Sequence, residues 1–321
     1  MSSTLESRLR DLLASRLADP TLRIEDLKRV PAGASRHTWS LTIDGDRATR
    51  RDLILRMDAP GSMSDAMDRE TALMVAARAA GVPSPEVLTG SIDGADLGAA
   101  YVVMSLVEGE TIPRRILRDP AYAEVRPVLA AQCGRALARI HSIDPSAVPG
   151  LEVSDELAAW RDVLDEHGQP HPAFELAIRW LEEHRPEPVT PRVVHGDFRN
   201  GNLIVGPDGI RAVLDWELAH LGDPLEDLGW LCVRAWRFGA EPVVGGFGTV
   251  DDLVAAYEAE RGTTVDREAL HWWQVLGTLK WGIICIHQAD RHRSGQTRSV
   301  ELATIGRRVA ENEWELLQLL P

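Results

Sequence analysis

The 321-residue chain is poor in several things that would otherwise set its class. It has three cysteines, Cys133, Cys232 and Cys285, far apart and without metal-ligand spacing. Neither a disulfide framework nor a cysteine zinc site is expected, and the usage suits a reducing cytoplasm. No apolar run approaches the roughly 18 residues of a membrane-spanning helix. Charges interrupt every apolar run of the N-terminal MSSTLESRLRDLLASRLAD, so it does not read as a signal peptide. A basic surplus is missing as well. The formal net charge of -14 speaks against a nucleic-acid partner, which needs a basic face. There is no G-x-x-x-x-G-K-S/T, hence no P-loop. There is no H-E-x-x-H either, and Gly168 and Pro170 separate His167 from His171, so zinc is not expected. Only three tyrosines stand beside ten tryptophans. Trp230, Trp236, Trp272, Trp273 and Trp281 fall late in the chain. Most are expected in the core, and a few as walls of a cleft.

Periodicity organises what is present. Leu5, Leu9, Leu12, Leu13 and Leu17 recur at helical spacing and predict a helix over 4–18. Residues 26–57 read as strands: Trp39, Leu41 and Ile43 alternate, and Leu53, Leu55 and Met57 share a face opposite Ile54 and Arg56. A helix over 63–80 is expected to carry Met67, Thr71, Met74 and Val75 on one side, and Gly81, Pro83 and Pro85 stop it. Strands at 86–90 and 100–107 follow. Beyond Gly109 the pattern is mostly helical, with Leu129, Cys133, Leu137 and Ile140 on one stripe and further helices at 224–236, 251–261, 266–290 and 298–319. A strand-rich start and a helix-rich remainder predict an α+β chain of two lobes, residues 1–107 and 108–321.

The chemistry concentrates in residues 195–227, HGDFRNGNLIVGPDGIRAVLDWELAHLGDPLED. Phosphoryl transfer depends on positioning and on neutralising charge. It uses a carboxylate facing the acceptor hydroxyl, an amide shortly after it, and a second carboxylate on the next hairpin for the metal ions. Asp197, Asn202 and Asp215 are those residue types in that order. The Gly206-Pro207-Asp208-Gly209 turn makes the hairpin that aims Asp215 back toward Asn202. The pattern points to a phosphotransferase that moves the γ-phosphoryl of a nucleoside triphosphate onto a hydroxyl. Eleven residues between Asp215 and Asp227 leave no room for a long activation segment, and no A-P-E follows. Asp215-Trp216-Glu217 stands in place of D-F-G, without the glycine hinge. A small-molecule kinase, not switched by loop phosphorylation, is therefore expected. Glu217, two residues beyond Asp215 on an extended strand, would share its face and serve as a further metal ligand or a brace.

These residues resemble the aminoglycoside phosphotransferase and choline kinase superfamily, small-molecule kinases of protein-kinase-like fold. The resemblance runs from about residue 26 nearly to the C-terminus. The stretch HGDFRNGNLIV…LDWELAHLGDPLEDLGWL is similar in particular to a bacterial branch related to kinase domains fused to acyl-CoA dehydrogenases. The resemblance implies a small β-rich nucleotide lobe and a larger helical lobe. It implies Asp197 as the residue that accepts or orients the substrate hydroxyl, Asn202 and Asp215 as magnesium ligands, and Asp227 as a brace of the catalytic loop, where a cap at a helix start is the equal alternative. ATP is the implied nucleotide, with GTP as the alternative. In the nucleotide lobe it implies Ser35 at the phosphates, Arg56 where the family usually has lysine, Glu70 as its helix partner, and the main chain of Ser105 and Val107 at the base. Arg56 is a departure, because guanidinium is planar and bidentate where ammonium is a point charge.

The acceptor stays open. An acidic, Trp-lined cleft would suit an aminoglycoside, whereas Arg, Lys and His at 280–293 would suit a hydroxyacyl-CoA-type thioester. A non-catalytic nucleotide-binding module is the remaining alternative; the intact Asp197, Asn202 and Asp215 weigh against it. The expected partner is a small-molecule hydroxyl substrate, with no nucleic acid and no membrane.

Overall fold

Leucine spacing at the N-terminus makes helix α1 (Ser2–Arg16), and Leu9 and Leu13, one turn apart, are fully buried. The structure, a computed structural model, describes residues 2–30, 36–58 and 65–321, the side chains of residues 2, 3 and 65 excepted. Two units are distinguished: Met1–Gly109 with Ser146–Gly150, and Glu110–Pro145 with Leu151–Pro321.

The first unit holds an antiparallel sheet of β1 (Arg23–Val30), β2 (His37–Asp44), β3 (Arg51–Met57), β4 (Val87–Ser91) and β5 (Tyr101–Ser105), in the order β1-β2-β3-β5-β4. The register pairs Leu41 with Leu53 and Leu55 with Val103. Alternation therefore places Leu41, Ile43, Leu53, Leu55, Tyr101 and Val103 on one face, where they pack with Leu9 and Leu13 of α1. Helix α2 (Asp65–Ala79) lies against β4 and β5. Its buried stripe is Met67, Glu70, Leu73, Met74 and Ala77, and Val75 is 53% exposed. The expected stripe was thus rotated. Spacing of i, i+3, i+4 and i+7 from Met67 turns Val75 to solvent and brings a charged residue, Glu70, inside.

In the second unit α3 (Pro113–Arg118) precedes α4 (Arg126–Ile140), whose Leu129, Cys133, Leu137 and Ile140 are all fully buried. Then come α5 (Glu156–His167), α6 (Pro172–Glu183), β6 (Arg192–Val194), the β7–β8 hairpin (Leu203–Gly206, Gly209–Val213), β9 (His220–Gly222), α7 (Leu225–Leu231), α8 (Val250–Arg261), α9 (Arg267–Arg293), α10 (Val300–Ile305) and α11 (Val309–Leu319). Strand β6 pairs with β9. Asp155, Thr249 and Asp266 cap α5, α8 and α9 by accepting backbone N–H groups with their side chains. Phe174, Leu181, Trp272, Leu279, Ile283 and Leu316 join α6, α9 and α11 in one core.

Two long helices foreseen from the pattern are interrupted. The one over 224–236 ends at Leu231 and resumes as a 3-10 turn, Arg234–Arg237. The one over 298–319 breaks at Gly306–Arg308, where a Cβ on Gly306 would come within 2.6 Å of the Ala289 side chain on α9. Among the described residues, no helix is long and apolar enough to cross a membrane.

Candidate active site

The loop after β6 carries the H-G-D triplet, and α7 holds it in place. Asp227, fully buried in the first turn of α7, accepts the N–H of His195 at 2.7 Å and of Gly196 at 2.9 Å. The Nε2–H of His141 reaches the same carboxylate at 3.1 Å. Burial opposes the Asp227 charge, but His141, His195 and these donors hold its carboxyl below the usual range. The brace implied by the resemblance is therefore present as three hydrogen bonds. Gly196 has φ +76°, and a Cβ there would lie 2.4 Å from the Leu218 carbonyl. Only glycine fits so sharp a turn before Asp197. The His195 ring donates from Nε2 to the Leu214 carbonyl at 3.0 Å, so its Nδ1 accepts the Asp197 N–H at 3.2 Å. That is the bonding of a neutral imidazole, and burial pushes its pKa down accordingly.

Asp197 and Asn202 meet directly. Asn202 Nδ2 donates to Asp197 Oδ2 at 2.7 Å and to its main-chain carbonyl at 2.9 Å. Arg199 Nε straddles both carboxylate oxygens at 3.0 and 3.1 Å, and Trp230 Nε1 donates to Oδ1 at 2.8 Å. The β7–β8 hairpin ties the chain just before Asp215 to Asn202, since Leu214 N–H donates to the Asn202 carbonyl at 2.8 Å. Asp215 itself has φ +68°, the left-handed region that is costly for any residue with a Cβ. Its half-buried carboxylate makes no hydrogen bond or ion pair among the described residues.

That left-handed turn also corrects the placing of Glu217. Side chains two apart share a face only on extended backbone. Here the strand has ended at Val213, and Glu217 lies exposed in a turn. In the first unit Arg56 does meet Glu70, at 3.4 Å. A residue missed from the sequence is closer. Arg36 is only 11% exposed and bridges Glu70 and Asp58, the latter at 3.0 Å. Nothing in its local pattern marks Arg36, because the pairing joins the residue before β2, the residue after β3 and α2. The Ser105 N–H is already given to the Glu86 carbonyl at 2.8 Å. Ser35 lies outside the described residues.

A second cluster underlies the loop. Lys280 on α9 is bonded to Glu156 at 3.1 Å and Glu226 at 3.3 Å, and its Nζ lies 3.5 Å from the Gly196 carbonyl. Glu156, His220 and Glu226 converge closely enough for a metal, their ligand atoms all within 4.8 Å of one another. The Lys280 ammonium already supplies the cation there, so the cluster reads as a buried ion network. Burial works against the Glu156 charge, but Lys280 and His220 overcome it and take its pKa down to about 2. His220 presents Nε2 to Glu226 at 3.1 Å and Nδ1 to the Leu218 carbonyl at 2.9 Å, two acceptors that call for two N–H groups. Burial opposes that charge, yet Glu226 pushes the His220 pKa up to about 9.

A pKa raised in the folded state contributes stability that is complete below the ordinary value near 6.5 and is lost as pH rises through about 9. The stabilisation is about 3 kcal/mol by that linkage. Urea unfolding at pH 6, 8 and 10 should show this decline in the native protein and a flatter profile in His220→Gln. Equal slopes in the two would contradict it.

Three of the cationic side chains at 280–293 are held by neighbours. Lys280 is buried in the network, Arg293 pairs with Asp290, and Arg291 bonds to Gln288. Arginines gather elsewhere. A cleft of about 880 Å³ is lined by Arg114, Arg118, Arg234, Arg237, Arg307 and Arg308 against Glu241, Glu301 and Glu311. Among the described residues Arg114, Arg118, Arg237 and Arg307 are in no ion pair. The 3-10 turn carrying Arg234 and Arg237 also carries Trp236, whose ring lies 4.6 Å beneath the Arg199 guanidinium. A larger cleft, about 1150 Å³ around Trp180, Tyr257 and Trp272, includes none of Asp197, Asn202 or Asp215.

A sheet-based unit flanked by α1 and α2, and a helical unit carrying the H-G-D loop and its hairpin, define a protein-kinase-like fold. A family model, the phosphotransferase enzyme family, matches residues 26–273, and the chain belongs to that family. It is 31% identical over 264 residues to acyl-CoA dehydrogenase family member 10 of Mus musculus, covering 77% of this chain and 23% of that protein. The match to acyl-CoA dehydrogenase family member 11 of Gallus gallus is 33% over 283 residues, 79% of this chain and 36% of that protein. The chain thus spans about a quarter to a third of the length of these relatives. Among solved structures, a candidate aminoglycoside phosphotransferase from Ralstonia eutropha JMP134 superposes with a TM-score of 0.76 at 20% identity, over 97% of this chain and 98% of that one. A mutant aminoglycoside phosphotransferase in ternary complex with ADP and hygromycin B gives 0.59 at 16% identity, over 97% of each chain.

Proposed function

We propose that this phosphotransferase is an ATP-dependent small-molecule kinase that moves the γ-phosphoryl group onto a substrate hydroxyl, with GTP as the alternative donor. The observation that carries this reading is the joining of Asp197, Asn202 and Asp215 on one loop and hairpin, with Asp197 and Asn202 hydrogen-bonded at 2.7 Å. In the reaction the acceptor oxygen bonds to the γ-phosphorus and the bond to the β,γ-bridging oxygen breaks, releasing the diphosphate. The hydroxyl proton passes to the Asp197 carboxylate and on to solvent.

Asn202 spends its amide N–H on Asp197, which leaves its carbonyl oxygen as a ligand atom. That oxygen and the unpartnered Asp215 carboxylate are hard donors of the kind magnesium takes. Bound there, magnesium would neutralise phosphate charge as it develops. In the first unit, Arg56 and Arg36, fixed by Glu70, are suited to phosphate oxygens. The Ser105 carbonyl and the Val107 amide are suited to the base.

The arginine cleft favours the thioester acceptor over an aminoglycoside. Six arginines against three glutamates give a positive lining in a chain of formal charge -14. A polycationic aminoglycoside would be repelled, whereas a hydroxyacyl-CoA carries phosphate groups that guanidinium forks hold bidentately. That the similar proteins are acyl-CoA dehydrogenase family members supports the same reading. Labelled ATP offered with a panel of hydroxyacyl-CoA thioesters, aminoglycosides and choline tests it. Label is expected in the thioesters. Label in aminoglycosides alone would overturn the acceptor, and none in any compound despite nucleotide binding would favour the non-catalytic module.

A further inference from the structure

The Asp197 carboxylate is held from two directions. Arg199 and Asn202 ride on its own loop, and Trp230 comes from α7. An ionised carboxylate offers about four acceptor sites. Trp230 Nε1 takes one on Oδ1, Asn202 Nδ2 takes one on Oδ2, and Arg199 Nε is shared between them. One site is left over. Without a donor at Oδ1 the group could rotate about its Cβ–Cγ bond and offer a different oxygen.

Trp230 is itself firmly placed. It is 3% exposed, the Lys280 ammonium lies 5.1 Å from its ring centroid, and the Trp236 ring packs on it at 5.0 Å. Lys280 also approaches the Gly196 carbonyl, one residue before Asp197. The buried ion network therefore bears on the loop through its backbone and, by way of the indole, through its carboxylate.

We infer that Trp230 is a positioning residue for phosphoryl transfer, its indole N–H fixing the rotation of the Asp197 carboxylate so that the remaining acceptor site meets the substrate hydroxyl. The inference rests on the role of Asp197 proposed above. A tryptophan needed only for packing would act through its ring; this role needs the N–H. Trp230→Phe keeps an aromatic body and removes the donor. Its kcat should fall about 10- to 100-fold, the range for losing a hydrogen bond to a charged group. KM for the nucleotide should stay within twofold. Trp230→His, which returns a ring N–H, should recover part of kcat, and in an Asp197→Ala background Trp230→Phe should have no further effect. A kcat within twofold of the native value in Trp230→Phe, or a histidine variant no better than phenylalanine, overturns the inference. If Asp197→Ala keeps its turnover, the role of Asp197 fails. If Asp197→Ala loses turnover while Trp230→Phe keeps it, the positioning role alone fails.

Discussion

Asp197→Ala is expected to lower single-turnover phosphoryl transfer by about 100- to 10,000-fold, the usual weight of a positioned general base. Nucleotide affinity should change little, because in this reading Asp197 acts on the acceptor and the phosphates are held by other groups. The loss follows from how completely the side chain is committed. Its backbone N–H is bonded to His195, its carboxylate to Arg199, Asn202 and Trp230, and the preceding residue is a glycine locked by Asp227. An alanine keeps the loop and its backbone bonds but leaves no acceptor for the hydroxyl proton. Rapid-quench transfer and equilibrium nucleotide binding, measured on the same preparation, separate the two effects. Retained turnover would remove Asp197 from the reaction.

Lys280→Met should be the most damaging single change to stability, costing about 3–5 kcal/mol, the typical loss when one partner of a buried ion pair is removed. Lys28 and Lys280 are the only lysines in the chain, and Lys280 is 5% exposed between two carboxylates. Methionine fills the volume and leaves Glu156 and Glu226 to share His220. Adding Glu156→Gln to Lys280→Met removes one of the stranded charges and should recover part of the loss. Urea denaturation reads both variants. A loss below about 1 kcal/mol in Lys280→Met would mean that the network contributes little.

Local pattern made much of this molecule legible. Alternation in β2 and β3 identified the face that packs under α1, and the stripe Leu129, Cys133, Leu137 and Ile140 of α4 is buried in full. The motif residues Asp197, Asn202 and Asp215 were readable because loop and hairpin fix their spacing within twenty residues. What stayed hidden depends on contacts far apart in the chain or on backbone geometry. Arg36 reaches Glu70 across 34 positions, and Lys280 reaches Glu156 across 124. Trp230 was one of several late tryptophans expected in the core or as cleft walls, and nothing in the sequence tied its N–H to Asp197. Glu217 was misplaced because no sequence pattern announces a left-handed aspartate, and one such residue ends the alternation on which the placing relied. The 280–293 side chains were weighed as acceptor discriminators by charge alone, whereas helix α9 buries the first of them and pairs others locally.

The central claim is that Asn202 and Asp215 hold the metal that lets a nucleoside triphosphate sit before Asp197. Calorimetric titration of a non-hydrolysable ATP analogue, with and without magnesium, into the native protein and into Asp215→Ala tests it most directly. The account predicts tight binding to the native protein that depends on magnesium, and binding to Asp215→Ala at least tenfold weaker and indifferent to the metal, a difference of about 1.4 kcal/mol or more. Equal, magnesium-dependent affinity in both proteins would contradict it.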